Sequence, residues 1–164
     1  DGSAIVYPGG VVQTVYMRSD ERTTYTAIPS GYGLTISELS IGIAPRKASS
    51  DIILTWMLNC EAGENVVFFI HQDGEYMDIG WPLDRWFGIA AMNYDQDTAS
   101  TMNNICLQYI VPAYTTEYRV YSPAIRSSYS ASNYTVSFNR AVGALGQDSY
   151  ENAICTGVAM EIGT

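Results

Sequence analysis

The sequence predicts an all-β protein, an antiparallel two-sheet β-sandwich of jelly-roll type with nine or ten short strands. Three observations predict it. Apolar and polar residues alternate in segment after segment, most clearly in Asn133-Tyr134-Thr135-Val136-Ser137-Phe138-Asn139. There Tyr134, Val136 and Phe138 point one way and the polar residues the other, the mark of a strand with one buried and one wet face. Helical periodicity scarcely interrupts the pattern, and the segments are short and separated by Gly, Pro, Asp and Ser, as in sandwiches.

The elements follow in order. Pro8-Gly9-Gly10 breaks the chain before a first strand, Val11 to Met17, and the charged turn Ser19 to Arg22 leads into a second, Thr23 to Ile28, ended by Pro29-Ser30-Gly31. Leu39, Ile41 and Ile43 alternate with Ser40 and Gly42 and give a third strand that stops at Pro45. Ile52 to Cys60 is the strongest core strand, with Trp56 as its anchor, and Val66 to His71 is a further buried strand closed by the turn signal Gln72-Asp73-Gly74. Residues 73–85 are the least regular stretch. Trp86 to Met92, Asn104 to Val111, Glu117 to Tyr121, Tyr134 to Phe138 and Ile154 to Ile162 supply the remaining strands, with a Ser/Tyr-rich turn at Ser127 to Ser132.

At 164 residues the chain is one domain's worth, read as an arm or linker over 1–8 and a single sandwich over 9–164. Its 47% apolar content supplies a core, and its 15% charged content is too low for a disordered segment. A net charge of −9 argues against nucleic-acid binding and against an electrostatic grip on anionic membranes. No apolar run is long enough to span a bilayer as a helix, so no membrane insertion is expected. The 13 tyrosines suit both strand packing and contact surfaces. Cys60, Cys106 and Cys155 are odd in number and widely spaced, which is neither a disulfide framework nor a zinc site. Cys60 is in phase with Ile52, Leu54, Trp56 and Leu58 and reads as a small core residue. The opening at Asp1 rather than Met suggests a fragment or a processed product.

The order of motifs is similar to that of a family of virion domains of tailed bacteriophages, cyanophage-like in character. Gly10-Val11-Val12-Gln13-Thr14-Val15 resembles the family's opening "GxVxQVV", and Thr23-Thr24-Tyr25-Thr26 its Thr/Ser-rich second strand. Gly33-Leu34-Thr35-Ile36 and Leu39 to Leu54 resemble "GLxxSIxPxxxSSKIL" with a short insertion. Thr116 to Tyr121 resembles "TYxVxxR", and Val158-Ala159-Met160-Glu161-Ile162 resembles the terminal "ITLMEI". The resemblance implies a jelly-roll-like domain of tail fibres or capsid surfaces, often trimeric, with other virion proteins as neighbours. It supplies no catalytic motif, and the chain departs from the family over Glu75 to Met92, which is richer in Trp and acid.

Little in the sequence points to catalysis. His71 is the only histidine and ends an apolar strand with no nearby cysteine, so it reads as structural. No nucleophile elbow or phosphate-binding glycine loop occurs. No metal or cofactor is expected. Asp73, Glu75, Asp78 and Asp84, with Asp95 and Asp97 beyond, leave room for two lesser readings, a paired-carboxylate glycan hydrolase of a tailspike and a loop calcium site, set against a solvated acidic loop.

The sharper candidates are aromatic. Tyr76 and Trp81, flanked by Asp78 and Asp84, form a candidate recognition surface, since rings stack on sugars and carboxylates accept their hydroxyls, whereas Trp86 and Phe87 open a strand and suit the core. Val67 and Phe69 are candidates for a subunit interface, because Val66, Phe68 and Ile70 already fill the other face of their strand. These readings converge on a non-enzymatic structural protein on the virion surface. A trimeric tail-fibre domain that meets a host glycan or protein is the first expectation and a capsid decoration protein the alternative.

Overall fold

A computed structural model describes residues 9–63, 65–78, 80, 88–92, 101–127, 135–144 and 151–163. Among them run twelve strands: β1 (Gly10–Ser19), β2 (Thr24–Thr26), β3 (Leu34–Thr35), β4 (Ile41–Ile43), β5 (Asp51–Ala62), β6 (Val66–Gln72), β7 (Glu75–Tyr76), β8 (Ala90–Met92), β9 (Asn103–Pro112), β10 (Arg119–Ser127), β11 (Thr135–Phe138) and β12 (Cys155–Gly163). They form two antiparallel sheets. One runs β1-β12-β5, with β9 on the far edge of β5 and β11 then β2 beyond its near edge; the other has β10 against β6, with β3 and β4 flanking β10 and β7 and β8 flanking β6.

The pairing is nested. β1 pairs with β12, β4 with β10, β5 with β9 and β6 with β8, all antiparallel. An eight-stranded ribbon folded back on itself in this way is a jelly roll. The short strands β2, β3, β7 and β11 are additions at its edges, which is why twelve strands replace the nine or ten expected.

The core lies between the sheets and is built by alternation. Ile52, Leu54, Trp56, Leu58 and Cys60 of β5 are all fully buried, facing Phe68 and Ile70 of β6 and Ile125 of β10. Trp56 is the largest of them, and its indole Nε1 donates to the carbonyl of Leu39 at 2.9 Å. The indole lies against Gly157, where a Cβ would fall 2.6 Å from the ring. The bulky anchor therefore depends on the absence of a side chain one strand away.

Three expectations need correction. The segment from Leu39 begins as a 3-10 turn, Ser37–Leu39, and only Ile41–Ile43 is strand. Ser40 turns its hydroxyl back onto the Ser37 carbonyl at 2.7 Å, a local bond that competes with a sheet ladder. β10 continues past Tyr121 to Ser127, through Pro123. The Pro123 carbonyl accepts from Ile36 N, so its missing N–H faces the gap where the edge partner changes from β4 to β3. β11 has no wet face: Val136, Ser137 and Phe138 are all buried, and Ser137 shares a hydrogen bond with Thr24. The expected arm at 1–8, the beginning of the Trp86–Met92 strand and most of the Ser127–Ser132 turn lie outside the described residues.

One buried charge fastens the first sheet to the loop after β4. Glu161 is inward-facing and wholly buried. Its carboxylate accepts from the backbone N–H of Arg46 and Lys47 at 2.9–3.1 Å and from the Gln13 amide at 2.6 Å. Burial pushes this carboxyl up, but those donors outweigh it and hold it below the usual glutamate value.

Trp56→Ala removes the anchor and leaves a void, and chemical denaturation should show a loss of about 3–5 kcal/mol. Glu161→Gln should cost about 1–3 kcal/mol at neutral pH, because the N–H donors lose their charged acceptor. Glu161 has a lower pKa folded than unfolded, so its contribution is full above about pH 4.3 and lost as pH falls through the folded value. Urea titrations across that range should show a shallower acid decline in the variant.

A tyrosine-walled cleft at the open rim

Gln72-Asp73-Gly74-Glu75 closes β6 onto β7 with a two-residue turn, in which Asp73 (φ 54°) and Gly74 (φ 86°) both take the left-handed conformation that such a hairpin demands. Asp73 also ties this hairpin to the neighbouring strand. Its Oδ1 accepts from Val120 N at 2.9 Å, its Oδ2 accepts from the Arg119 guanidinium at 2.9 Å, and its own N–H donates to the Val120 carbonyl. The Val120 N–H, with Arg119 beside it, holds the Asp73 carboxyl below its ordinary value.

The hairpin is one wall of a cleft of about 200 Å³, lined by Gln72, Met77, Asp78, Tyr109, Ile110, Val111, Pro112 and Tyr114. The opposite wall is the end of β9 and the loop that follows it. Thr115 N donates to the Ala113 carbonyl at 2.7 Å, closing a three-residue turn around Tyr114, whose φ is +56°. A non-glycine residue held there is strained. That turn presents the Tyr114 ring at 82% exposure, the highest among the exposed large hydrophobics described. Tyr109 is half-buried beneath. Across the cleft the Asp78 carboxylate accepts from Gly80 N at 2.8 Å and stays exposed.

Of the four residues expected to form a recognition surface, Asp78 lines this cleft. Tyr76 stands beside it, half-buried, its ring edge-on to Tyr32 at 5.6 Å and tilted against Phe69 at 5.7 Å. Burial, with the Asp78 charge nearby, raises its hydroxyl pKa. Trp81 and Asp84 lie outside the described residues, as do Trp86, Phe87, Asp95 and Asp97. Tyr109, Tyr114 and Gln72 were not singled out from the sequence. The abundance of tyrosine was the available signal, but the cleft forms only when the rims of two sheets meet.

The second apolar face of β6, expected to await another subunit, is covered within the chain. Phe69 is 3% exposed, beneath Gly33, Tyr76 and Arg126. A Cβ at Gly33 would lie 2.4 Å from the Phe69 ring, and its φ of +72° also requires glycine. Val67 is half-buried against Gly88. Phe69 therefore offers no free surface, whereas Val67 remains partly exposed.

His71 belongs to the same covering layer. Its Nε2 donates to the Tyr32 carbonyl at 2.8 Å, and that bond leaves Nδ1 to accept from the Thr35 hydroxyl at 2.6 Å. Both ring nitrogens are thus spent on fastening residues 32–35 across β6. Burial pushes the Cys60 thiol up, and the Cys155 thiol up to about 11, so neither is a ready thiolate. Among the described residues no three His, Cys, Asp or Glu side chains gather in a way that could hold a metal ion.

Fold and rim together define an all-β jelly-roll sandwich with a small aromatic cleft and no assembled nucleophile among the described residues. No family model matches the chain, and no curated protein matches it in sequence. Among solved structures it is similar to one described as the EclA C-terminal domain, a sugar-binding protein, at 13% identity over 84% of this chain and 83% of that one, with a TM-score of 0.36. That correspondence is too loose to align side chains.

Asp73→Asn should loosen the cleft wall and leave the core intact. Amides of 72–77 should exchange faster with deuterium and those of β5 should not, with a global loss below about 1 kcal/mol because the ion pair is partly exposed.

Proposed function

We propose that this chain is a non-enzymatic recognition domain on the exterior of a tailed-bacteriophage virion, a segment of a tail fibre whose rim cleft meets a glycan on the host surface. The observation that carries the proposal is the strained turn that holds Tyr114 outward opposite Asp78. Backbone strain of this kind persists where the surrounding structure enforces it, and it clusters at ligand-contacting positions. Tyr109 and Tyr114 provide flat apolar rings, while Gln72 and Asp78 provide an amide and a carboxylate for hydroxyls. A cleft of about 200 Å³ is below the range of drug-sized pockets and suits one sugar ring of a longer chain. The carboxylate, on a chain of net charge −9, favours neutral or amino sugars over acidic ones. The order of sequence motifs supports the placement on a phage particle.

An array of bacterial capsular and lipopolysaccharide glycans, probed with the purified protein, tests this reading. Binding to one or a few neutral or amino-sugar polymers is expected. Tyr114→Ala and Asp78→Asn should each weaken it about tenfold, the equivalent of roughly 1.4 kcal/mol. Absence of binding across the array, or binding indifferent to both variants, would overturn the assignment.

A further inference from the structure

Tyr32 sits on a loop whose backbone is fastened from beneath. It stands between two left-handed glycines, Gly31 (φ 76°) and Gly33 (φ 72°). The Gly31 carbonyl accepts from the Arg126 guanidinium at 3.3 Å, the Tyr32 carbonyl accepts from His71 Nε2 at 2.8 Å, and Gly33 lies against the Phe69 ring. Gly33, Tyr76 and Arg126 cover Phe69, and the Tyr32 ring is left outside that cover, 63% exposed. It meets Tyr76 at 5.6 Å between centroids and 61° between planes, so the two rings form a corner, the face of one against the edge of the other. Tyr76 in turn immediately precedes Met77 and Asp78, which line the cleft. Burial and then the Asp78 carboxylate raise the Tyr76 hydroxyl pKa, Arg126 opposes them, and the hydroxyls of Tyr109 and Tyr32 add to the rise. This ring is therefore within electrostatic reach of both the cleft and Tyr32.

We infer that the cleft continues over Tyr76 to Tyr32 as a second subsite, and that its occupant is a linear glycan held over several successive rings, not a single sugar. The inference rests on the reading of the cleft as a glycan site and names the kind of glycan. A cleft of about 200 Å³ holds one ring, so the rest of a longer chain must lie on whatever adjoins it. On the β7 side what adjoins it is aromatic: Tyr76, then Tyr32. The spacing of that pair is close to the repeat of a pyranose in an extended chain. Tyr114 and Tyr32, at the two ends of the track, are the well-exposed rings, and each is carried by backbone in or beside the left-handed conformation. Rings presented on a fixed backbone lose little freedom on binding, which is why tyrosine serves so well in contact surfaces. Tyr76 and Tyr32 add no charge, so the preference for neutral or amino sugars set by Asp78 extends along the track. Once one sugar occupies the cleft, contact of the same chain with Tyr32 is intramolecular, and affinity rises with chain length.

A length series provides the test. The probes are the monosaccharide, disaccharide, tetrasaccharide and longer fragments obtained by partial hydrolysis of whichever polymer the array retains, titrated calorimetrically. Affinity should rise from the disaccharide to the tetrasaccharide. Tyr32→Ala should weaken binding of the tetrasaccharide and longer fragments about tenfold and leave the mono- and disaccharide unchanged, whereas Tyr114→Ala should weaken every length. Tyr32→Phe should bind as the parent does, because it keeps the ring. Tyr32→Leu, which keeps apolar bulk without an aromatic face, should be as weak as Tyr32→Ala, and circular dichroism should show all three folded. Affinity that does not grow beyond the disaccharide, a Tyr32→Ala protein that matches the parent at every length or is weakened equally at every length, or full binding by Tyr32→Leu would each overturn the inference. In each of those cases fragments still bind through Tyr114 and Asp78, so the cleft assignment stands. A protein that binds no polymer and no fragment overturns the cleft assignment and the track with it.

Discussion

Everything in this fold depends on the pairing of strands far apart in sequence. β1 is hydrogen-bonded to β12 along its whole length, and inside that pair the others nest, β4 with β10, β5 with β9 and β6 with β8. No hairpin among the long strands could bury its apolar side alone. Ile52, Leu54 and Trp56 are dry only because β6 and β10 lie across from them, and those strands are positioned by a ribbon that closes last at its two ends. Such a topology defers most of its stabilising contacts until large loops have closed, which makes folding slow relative to proteins with local contacts. Close-approach glycines and buried polar fasteners then fix what the ribbon leaves free. Gly157 admits the Trp56 ring, Gly33 lets residues 31–36 lie on Phe69, and Glu161 binds the turn at Arg46 and Lys47.

Much of this was legible in the sequence, for a definite reason. Where a strand has one dry and one wet face, period-two alternation reports it directly, as in β5 with its buried Trp56 and Cys60. Where turn geometry demands particular residues, composition reports it, as in Asp73-Gly74. Reading failed where a strand is covered on both sides. The outward residues of β6 were taken as an unfilled interface, but Phe69 is roofed by Gly33, Tyr76 and Arg126, residues that the pattern on β6 cannot announce. In β11 a polar residue in outward phase, Ser137, looked solvated and is instead hydrogen-bonded and buried. Glu161, an acid in the inward phase of β12, broke the alternation and was the one visible sign of the fastening at Arg46.

The cleft was half legible. Asp78 stood out as an acid beside aromatics, and it does line the cleft. Tyr109 and Tyr114 did not stand out, because each is one tyrosine among 13 and nothing local marks the second as exposed and strained. Their significance arises from juxtaposition: the free edge of one sheet meets the hairpin of the other at the rim. Asp73 connects the two levels, since the same carboxylate that closes the hairpin pins it to Arg119 and Val120 and so fixes the position of the wall. Recognition surfaces on jelly rolls are commonly assembled in this way, on loops steadied by a rigid frame.

The closing pair has a mechanical consequence. Gly10 stands opposite Gly163, while Ser19 stands opposite Cys155 at the other end of the ladder. Tension applied between residues 10 and 163 would therefore pull along the rungs, perpendicular to the strands, and part them one at a time, as a zipper opens, and not shear them together. Under such traction this domain would yield at low force from its outermost rung inward, parting the edge strand β1 from β12 before β5, which contains Trp56, is reached.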